Sequence, residues 1–199
     1  MKRTLLFSAA VLTALLAGCD TTTTPEVHPT EAYVPLAAGN EWDYAWDLPD
    51  DGDPMNWYVT GSDDGAWSVE LNWGDTTEQW LWRHTEGGEF QARPADEENW
   101  HIYLKTPIEK DNSWTYTDDD GQAWFAHIIG TNEEFDLPAG SFDHLVLVAV
   151  NKADEVNDSE YQENYWFGEN AGIVRVAIDG DDENYDSDWL WELNYYSLK

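Results

Sequence analysis

The sequence predicts an all-β fold: an antiparallel meander that forms a curved sheet, an open barrel or a sandwich. Three observations carry this. From Glu41 onward, apolar and aromatic residues alternate with polar ones at the two-residue period of a half-buried strand. Clusters of Asp and Gly interrupt that alternation about every ten residues, the spacing of short hairpins. No stretch of the body shows the 3.6-residue period of a convincing amphipathic helix.

In chain order, Trp42, Tyr44 and Trp46 share one strand face, opposite Asp43, Ala45 and Asp47. Trp57–Val59 and Trp67–Trp73 follow, and then Trp80 and Trp82 alternate with Gln79, Leu81 and Arg83. Phe90–Arg93 is the next strand. In Glu97–Lys105 a short helix competes with a strand, and Trp100, Ile102 and Leu104 opposed by His101, Tyr103 and Lys105 favour the strand. Trp114–Thr117, Trp124–Ile129, Leu145–Asn151, Tyr161–Phe167 and Ile173–Ile178 continue the series. In the last strand Trp189, Trp191 and Leu193 alternate with Leu190, Glu192 and Asn194. The run Leu145–Val150 lacks polar alternation, so it should be covered on both faces. Between the strands, Asp50–Pro54, Ser62–Gly65, Glu86–Gly88, Asp118–Gly121, Pro138–Gly140 and Asp179–Asp181 supply residues that tolerate turn geometry, several with positive φ. Gly172 reads as the turn of one hairpin.

The first residues have a different character. Lys2-Arg3 is a short basic region, and the apolar run from Leu5 to Ala17 is shorter than the roughly 20 residues of a spanning helix. The run ends in Leu16-Ala17-Gly18-Cys19, which resembles the lipobox of bacterial lipoproteins. The resemblance implies a signal peptide over residues 1–18, cleavage before Cys19, and acylation of that cysteine. Residues 19–35 then read as the lipidated Cys and a flexible, Thr-, Pro- and Glu-containing tether, with a single β-rich domain over 36–199. Several acyl chains on one residue, each contributing about 0.8 kcal/mol per buried methylene, anchor a protein without a spanning helix. The expected location is the bacterial cell envelope, on the periplasmic or surface side, at the inner or the outer membrane. Asp20 resembles the enterobacterial inner-membrane retention signal.

The body also resembles an uncharacterised family of β-rich bacterial envelope lipoproteins. The resemblance rests on Tyr33-Val34-Pro35-Leu36 with Gly39-Asn40-Glu41-Trp42-Asp43-Tyr44, on Leu137–Asp143 followed by Leu145–Val150, on Tyr165-Trp166-Phe167 with Ala171–Arg175, and on Glu192–Tyr196. It implies a curved antiparallel sheet or open barrel on a lipid tether, with no assigned activity.

The chain of 199 residues carries 41 Asp plus Glu against 9 Lys plus Arg, a formal charge of −32. Such a surface repels nucleic acid and anionic lipid, so neither is an expected electrostatic partner. The acids occupy turns and outward strand positions throughout, the pattern of a surface adapted to high salt. The one cysteine excludes an intrachain disulfide.

Chemistry is sparse. His-Glu-x-x-His, a phosphate-cradling glycine loop and a Gly-x-Ser-x-Gly elbow are all absent. His84, His101, His127 and His144 have no zinc-like spacing, and no catalytic residue is expected. Asp118 and Asp120 are weak calcium candidates, because a calcium loop aligned on Gly121 would also need acids where Tyr116 and His127 stand; no other cofactor is expected. Trp80, Trp82, Trp189 and Trp191, from a total of 13 Trp, are the candidate ligand-binding residues. The leading expectation is a non-enzymatic envelope protein that binds or scaffolds. Its partners would be membrane lipid, through Cys19, and an envelope protein or glycan. The alternative is a carbohydrate-binding or glycan-hydrolysing protein that uses exposed Trp faces and carboxylates.

Overall fold

The computed structural model describes residues 30–46, 53–154, 162–179 and 189–199. Cys19 and the leader lie outside them. After one helical turn, α1 (Thr30–Tyr33), the described chain is strands: β1 (Glu41–Trp46), β2 (Met55–Asp63), β3 (Ala66–Trp73), β4 (Thr76–His84), β5 (Glu89–Pro94), β6 (His101–Lys105), β7 (Ser113–Thr117), β8 (Ala123–Leu137), β9 (Gly140–Lys152), β10 (Gln162–Gly168), β11 (Gly172–Asp179) and β12 (Trp189–Ser197). Every strand expected from the alternation is present, and the ambiguous Glu97–Lys105 contains β6.

All pairings are antiparallel, and sheet order follows chain order except at one place: β1 pairs with β12, so the meander curls round on itself. The two free edges are then β6 and β7, neighbours in sequence, and the sheet is a nearly closed 12-stranded barrel. Side chains close that seam in place of a ladder. The Trp114 indole N–H donates to the Ile102 carbonyl at 2.7 Å, Asn112 donates to the Lys105 carbonyl at 3.0 Å, and His101 stacks on Tyr116 at 5.3 Å. An unpaired strand edge exposes backbone groups that need partners, and these contacts supply some of them.

The turns obey local chemistry. Asp64 (φ 47°) and Gly65 (φ 80°) make a two-residue turn with positive φ at both positions, which matches the twist of β2 and β3. Pro138-Ala139 reverses β8 into β9. The expectation for Leu145–Val150 holds. Val146, Val148 and Val150 are buried, and so are Leu145 and Ala149 on the opposite face. On β10, Trp166 pairs with Leu147, and Phe135 packs edge-on against Trp166 at 5.7 Å. Arg175 lies over both rings, at 4.5 Å and 5.1 Å. This outer cluster covers the face that would otherwise meet water.

Composition placed Thr30–Pro35 in the tether, yet this segment packs on the barrel. Thr30, Tyr33 and Val34 are buried. The Val34 carbonyl accepts from His84 Nε2 at 2.8 Å, and Thr30 Oγ1 sits 3.0 Å from His84 Nδ1. The backbone N–H of Asn170 donates to the Ala32 carbonyl at 2.6 Å. Asn40 ties Pro35 to the last residue, donating to the Pro35 carbonyl and accepting from the Lys199 N–H, both at 2.8 Å. These partners come from the end of β4, the β10–β11 turn and the end of β12, so α1 lies across that end of the barrel.

The clasp requires a neutral imidazole whose Nε2–H donates and whose Nδ1 accepts. Burial pushes the His84 pKa below its ordinary value, and burial does the same to His101 and His127. A depressed folded pKa means that the unfolded chain takes up the proton first. Stability is therefore full above the unfolded value of about 6.5 and is lost as pH falls from there through the folded pKa. In molar salt, which screens the carboxylates, the melting temperature should drop by several degrees between pH 7.5 and 5.5, with a shallower drop in His84→Gln. A flat profile would show that a neutral His84 does not hold the clasp.

Candidate functional site in the barrel lumen

Strand alternation sends one face of each strand inward, and the inward residues do not fill the barrel. They leave a part-enclosed cavity of about 190 Å³. Phe90 and Ile173 lie toward the end covered by α1, whereas Trp73, Trp80 and Ile178 stand toward the opposite end. Between them the wall includes Trp57, Val69, Leu71, Trp82, Ala92 and Trp191.

Three of the four candidate tryptophans therefore meet around one space, but not as an exposed face. Trp82 and Trp191 are each only 4% exposed, and Trp80 is half-buried. Trp82 and Trp191 thus offer no exposed face to the carbohydrate-binding alternative: closing the sheet turns the aromatic side of β4 and β12 inward. Trp189 begins β12 with its backbone opposite Ile178, and its side chain lies outside the described residues. The sequence reading missed Trp57 and Trp73. Trp57 packs edge-on against Trp82 at 4.8 Å, and Trp73 against Trp191 at 5.9 Å. Their alternation on β2 and β3 was visible, but nothing local tied those strands to β12.

The wall is almost wholly apolar. Among the described residues its only side-chain oxygens are the hydroxyls of Tyr103 and Tyr165, whose rings meet edge-on at 5.1 Å. Tyr165 Oη donates to Glu163 at 2.6 Å, and burial raises the pKa of both tyrosines, so both remain neutral phenols. The buried indole N–H groups of Trp57 and Trp82 have no hydrogen-bond partner and lie among aromatic rings. Toward the end opposite α1, Trp80 Nε1 donates to Glu78 at 3.1 Å. Among the described residues no carboxylate, imidazole, amine or thiol lines the space. A sugar needs hydroxyl partners as well as a flat ring, and this wall supplies very few.

Size narrows the occupant. Drug-sized pockets run to about 300–1,000 Å³, while an apolar cavity of about 150 Å³ holds a single benzene. The lumen fits one slender apolar group. By the scaling seen for cavities left in protein cores, a void this large forgoes up to about 4–5 kcal/mol of packing.

The other candidates have ordinary partners. Asp118 Oδ1 accepts from the Gln122 N–H at 2.8 Å and Oδ2 from Trp124 Nε1 at 2.9 Å, so both oxygens serve the turn. Asp119 caps the N–H groups of Glu98 and Asn99, which lowers its pKa, and Asp120 is exposed. Among the described residues no group of three or more His, Cys, Asp or Glu is placed to hold a metal. The four histidines do not converge: His144 bonds Asn132 at 2.7 Å, and His101 pairs with Glu97 at 3.4 Å.

A protein from Bacteroides fragilis described as exported, with a YmcC-like fold, superposes on this barrel with a TM-score of 0.51, at 14% identity over 83% of this chain and 99% of the other. The likeness is one of fold. A protein from Parabacteroides distasonis described as a lipoprotein covers similar shares, 83% and 98%, at 14% identity and a TM-score of 0.43. No family model and no curated protein matches the sequence.

Proposed function

We propose that this is a lipid-anchored, non-enzymatic envelope protein whose barrel binds a slender apolar ligand, such as a single alkyl chain, in its aromatic lumen. The observation that carries the reading is the cavity itself. The 12-stranded barrel and a ring of tryptophans enclose space that larger side chains could fill, and among the described residues its wall bears no group suited to acid, base or nucleophilic chemistry. The lipobox ending at Cys19 supports the envelope location, as does the fold shared with a protein described as exported.

Titration with hexanol, whose six carbons match this volume, tests the binding. Saturable change in tryptophan fluorescence is expected, because the ligand would sit among Trp57, Trp82 and Trp191. Ala92→Phe, which projects a ring into the lumen, should weaken binding at least tenfold while holding or raising the melting temperature; Leu71→Trp is the second filling variant. Cys19→Ser should leave hexanol binding intact and move the protein from the membrane fraction to the soluble one. Absence of saturable binding, or binding indifferent to both filling variants, would overturn the ligand reading. Membrane fractionation that survives Cys19→Ser would overturn the anchor.

A further inference from the structure

Two of the chain's nine basic residues stand side by side on the outside of the barrel. Arg83 on β4 and Arg93 on β5 occupy neighbouring ladder positions, where Arg83 pairs with Gln91 and Arg93 with Leu81. Their guanidinium carbons lie 3.8 Å and 4.9 Å from the centre of the same ring, Trp100.

Their partners are unusual for this protein. Arg175 reaches Glu192 at 3.2 Å, and Lys105 reaches Glu89 at 2.8 Å. Arg83 instead gives its Nε–H to the neutral Gln91 amide oxygen at 2.7 Å. Arg93 donates from Nη1 to the Pro94 carbonyl at 3.3 Å, and its buried Nε has no hydrogen-bond partner. In a chain with 41 acids, these two adjacent cations bond no carboxylate among the described residues. Burial lowers the Arg83 pKa and the charge of Arg93 lowers it further, while the nearby Glu89 carboxylate, which bonds the Gln91 amide, opposes both. Cation–π contact with Trp100 offsets some of that repulsion and holds the two forks together.

The pair borders an open hollow of about 760 Å³ that also takes in Ser68, Thr85, and Asp63 and Asp64 from the β2–β3 turn. Two guanidinium forks suit the oxygens of a phosphate, and hydroxyl side chains add donors. The two rim carboxylates would repel a purely anionic ligand, but they suit one that brings its own positive charge. We propose that Arg83, Arg93 and Trp100 form a binding site for the phosphate of a zwitterionic headgroup of the phosphoethanolamine type, with its ammonium toward Asp63 and Asp64. Arg83, Thr85 and the β2–β3 turn lie toward the end of the barrel that α1 crosses, where the chain leads back to Cys19. This end is tethered to lipid, so the source of the headgroup is the membrane. That last step rests on the anchor proposed above; the site does not.

Titration of full-length Cys19→Ser protein with soluble phosphoethanolamine tests the site without the anchor. Saturable binding is expected, weakened at least tenfold by Arg83→Gln and by Arg93→Gln and unaffected by Arg175→Gln. Arg83→Lys keeps the charge without the fork and should also weaken it, with melting curves checking that each variant is folded. Asp63→Asn with Asp64→Asn should weaken phosphoethanolamine binding and strengthen that of inorganic phosphate. No saturable binding of phosphoethanolamine, or binding that survives both arginine-to-glutamine changes, would overturn the site. Vesicles of phosphatidylcholine with and without phosphatidylethanolamine test the source. Retention only on the ethanolamine-containing vesicles supports a membrane headgroup, and no retention despite soluble binding would overturn the membrane source in favour of a free ligand.

Discussion

Replacing Gly172 with alanine should lower the melting temperature by roughly 10 °C or more, the largest effect expected of any single methyl group here. Gly172 opens β11 with φ +92°, a conformation that residues with a Cβ rarely adopt. An added Cβ would also stand 2.6 Å from Nε1 of Trp42 and 3.0 Å from its ring carbon Cε2. The indole cannot easily yield, because its N–H donates to the Ala171 carbonyl at 2.6 Å and its ring packs on Trp82 at 6.0 Å. Tyr44, two residues along β1, holds the same hairpin through the Ile173 carbonyl at 2.7 Å. Backbone strain costs about 1–3 kcal/mol, and breaking a buried hydrogen bond costs about as much again. At about 2–4 °C per kcal/mol for a chain of this size, the sum reaches the stated drop. Gly121→Ala is the control, with φ +83° but nothing within 4 Å of the new Cβ, so it should show the strain alone. Equal losses in the two variants would mean that contact with Trp42 is unimportant.

Raising the salt from about 0.1 M to molar concentration should increase the melting temperature by upward of about 10 °C. No carboxylate among the described residues is buried, so the acidic excess lies on the surface. Each like-charged pair 10 Å apart in water costs about 0.4 kcal/mol, and tens of surface acids make many such pairs. The Debye length falls from about 10 Å to about 3 Å over that range, which removes most of the repulsion. Screening of several kcal/mol gives the stated rise at about 2–4 °C per kcal/mol. An unchanged melting temperature would show that the charge is no adaptation to salt.

The strands were legible because a two-residue period is a local signal; Trp42, Tyr44 and Trp46 announce a shared face without reference to the rest of the chain. The same period does not say whether that face looks in or out. Trp80 and Trp82 were grouped correctly, yet only the pairing of β1 with β12 reveals that their face lines a lumen. Tyr33 and Val34 are too short an apolar run to show periodicity in a Pro- and Glu-rich context, so composition assigned them to the tether. Their burial depends on His84, some 50 residues away. Arg83, Arg93 and Trp100 were likewise invisible as a group. Hairpin register brings the arginines together, and the loop after β5 carries Trp100 back over them.

The unlaced seam between β6 and β7 also bears on how the chain assembles. Every ladder but one joins consecutive strands, and that one joins the first strand to the last. As the polypeptide is numbered, the barrel cannot be completed until its final strand exists, and the closing contact carries the heaviest loop entropy in the molecule. A permuted chain that began at β7, ran through β12 into β1 and ended at β6 would place its ends at the gap that already exists. All its pairings would be between sequence neighbours, so the same barrel would become a topologically simple, rapid folder.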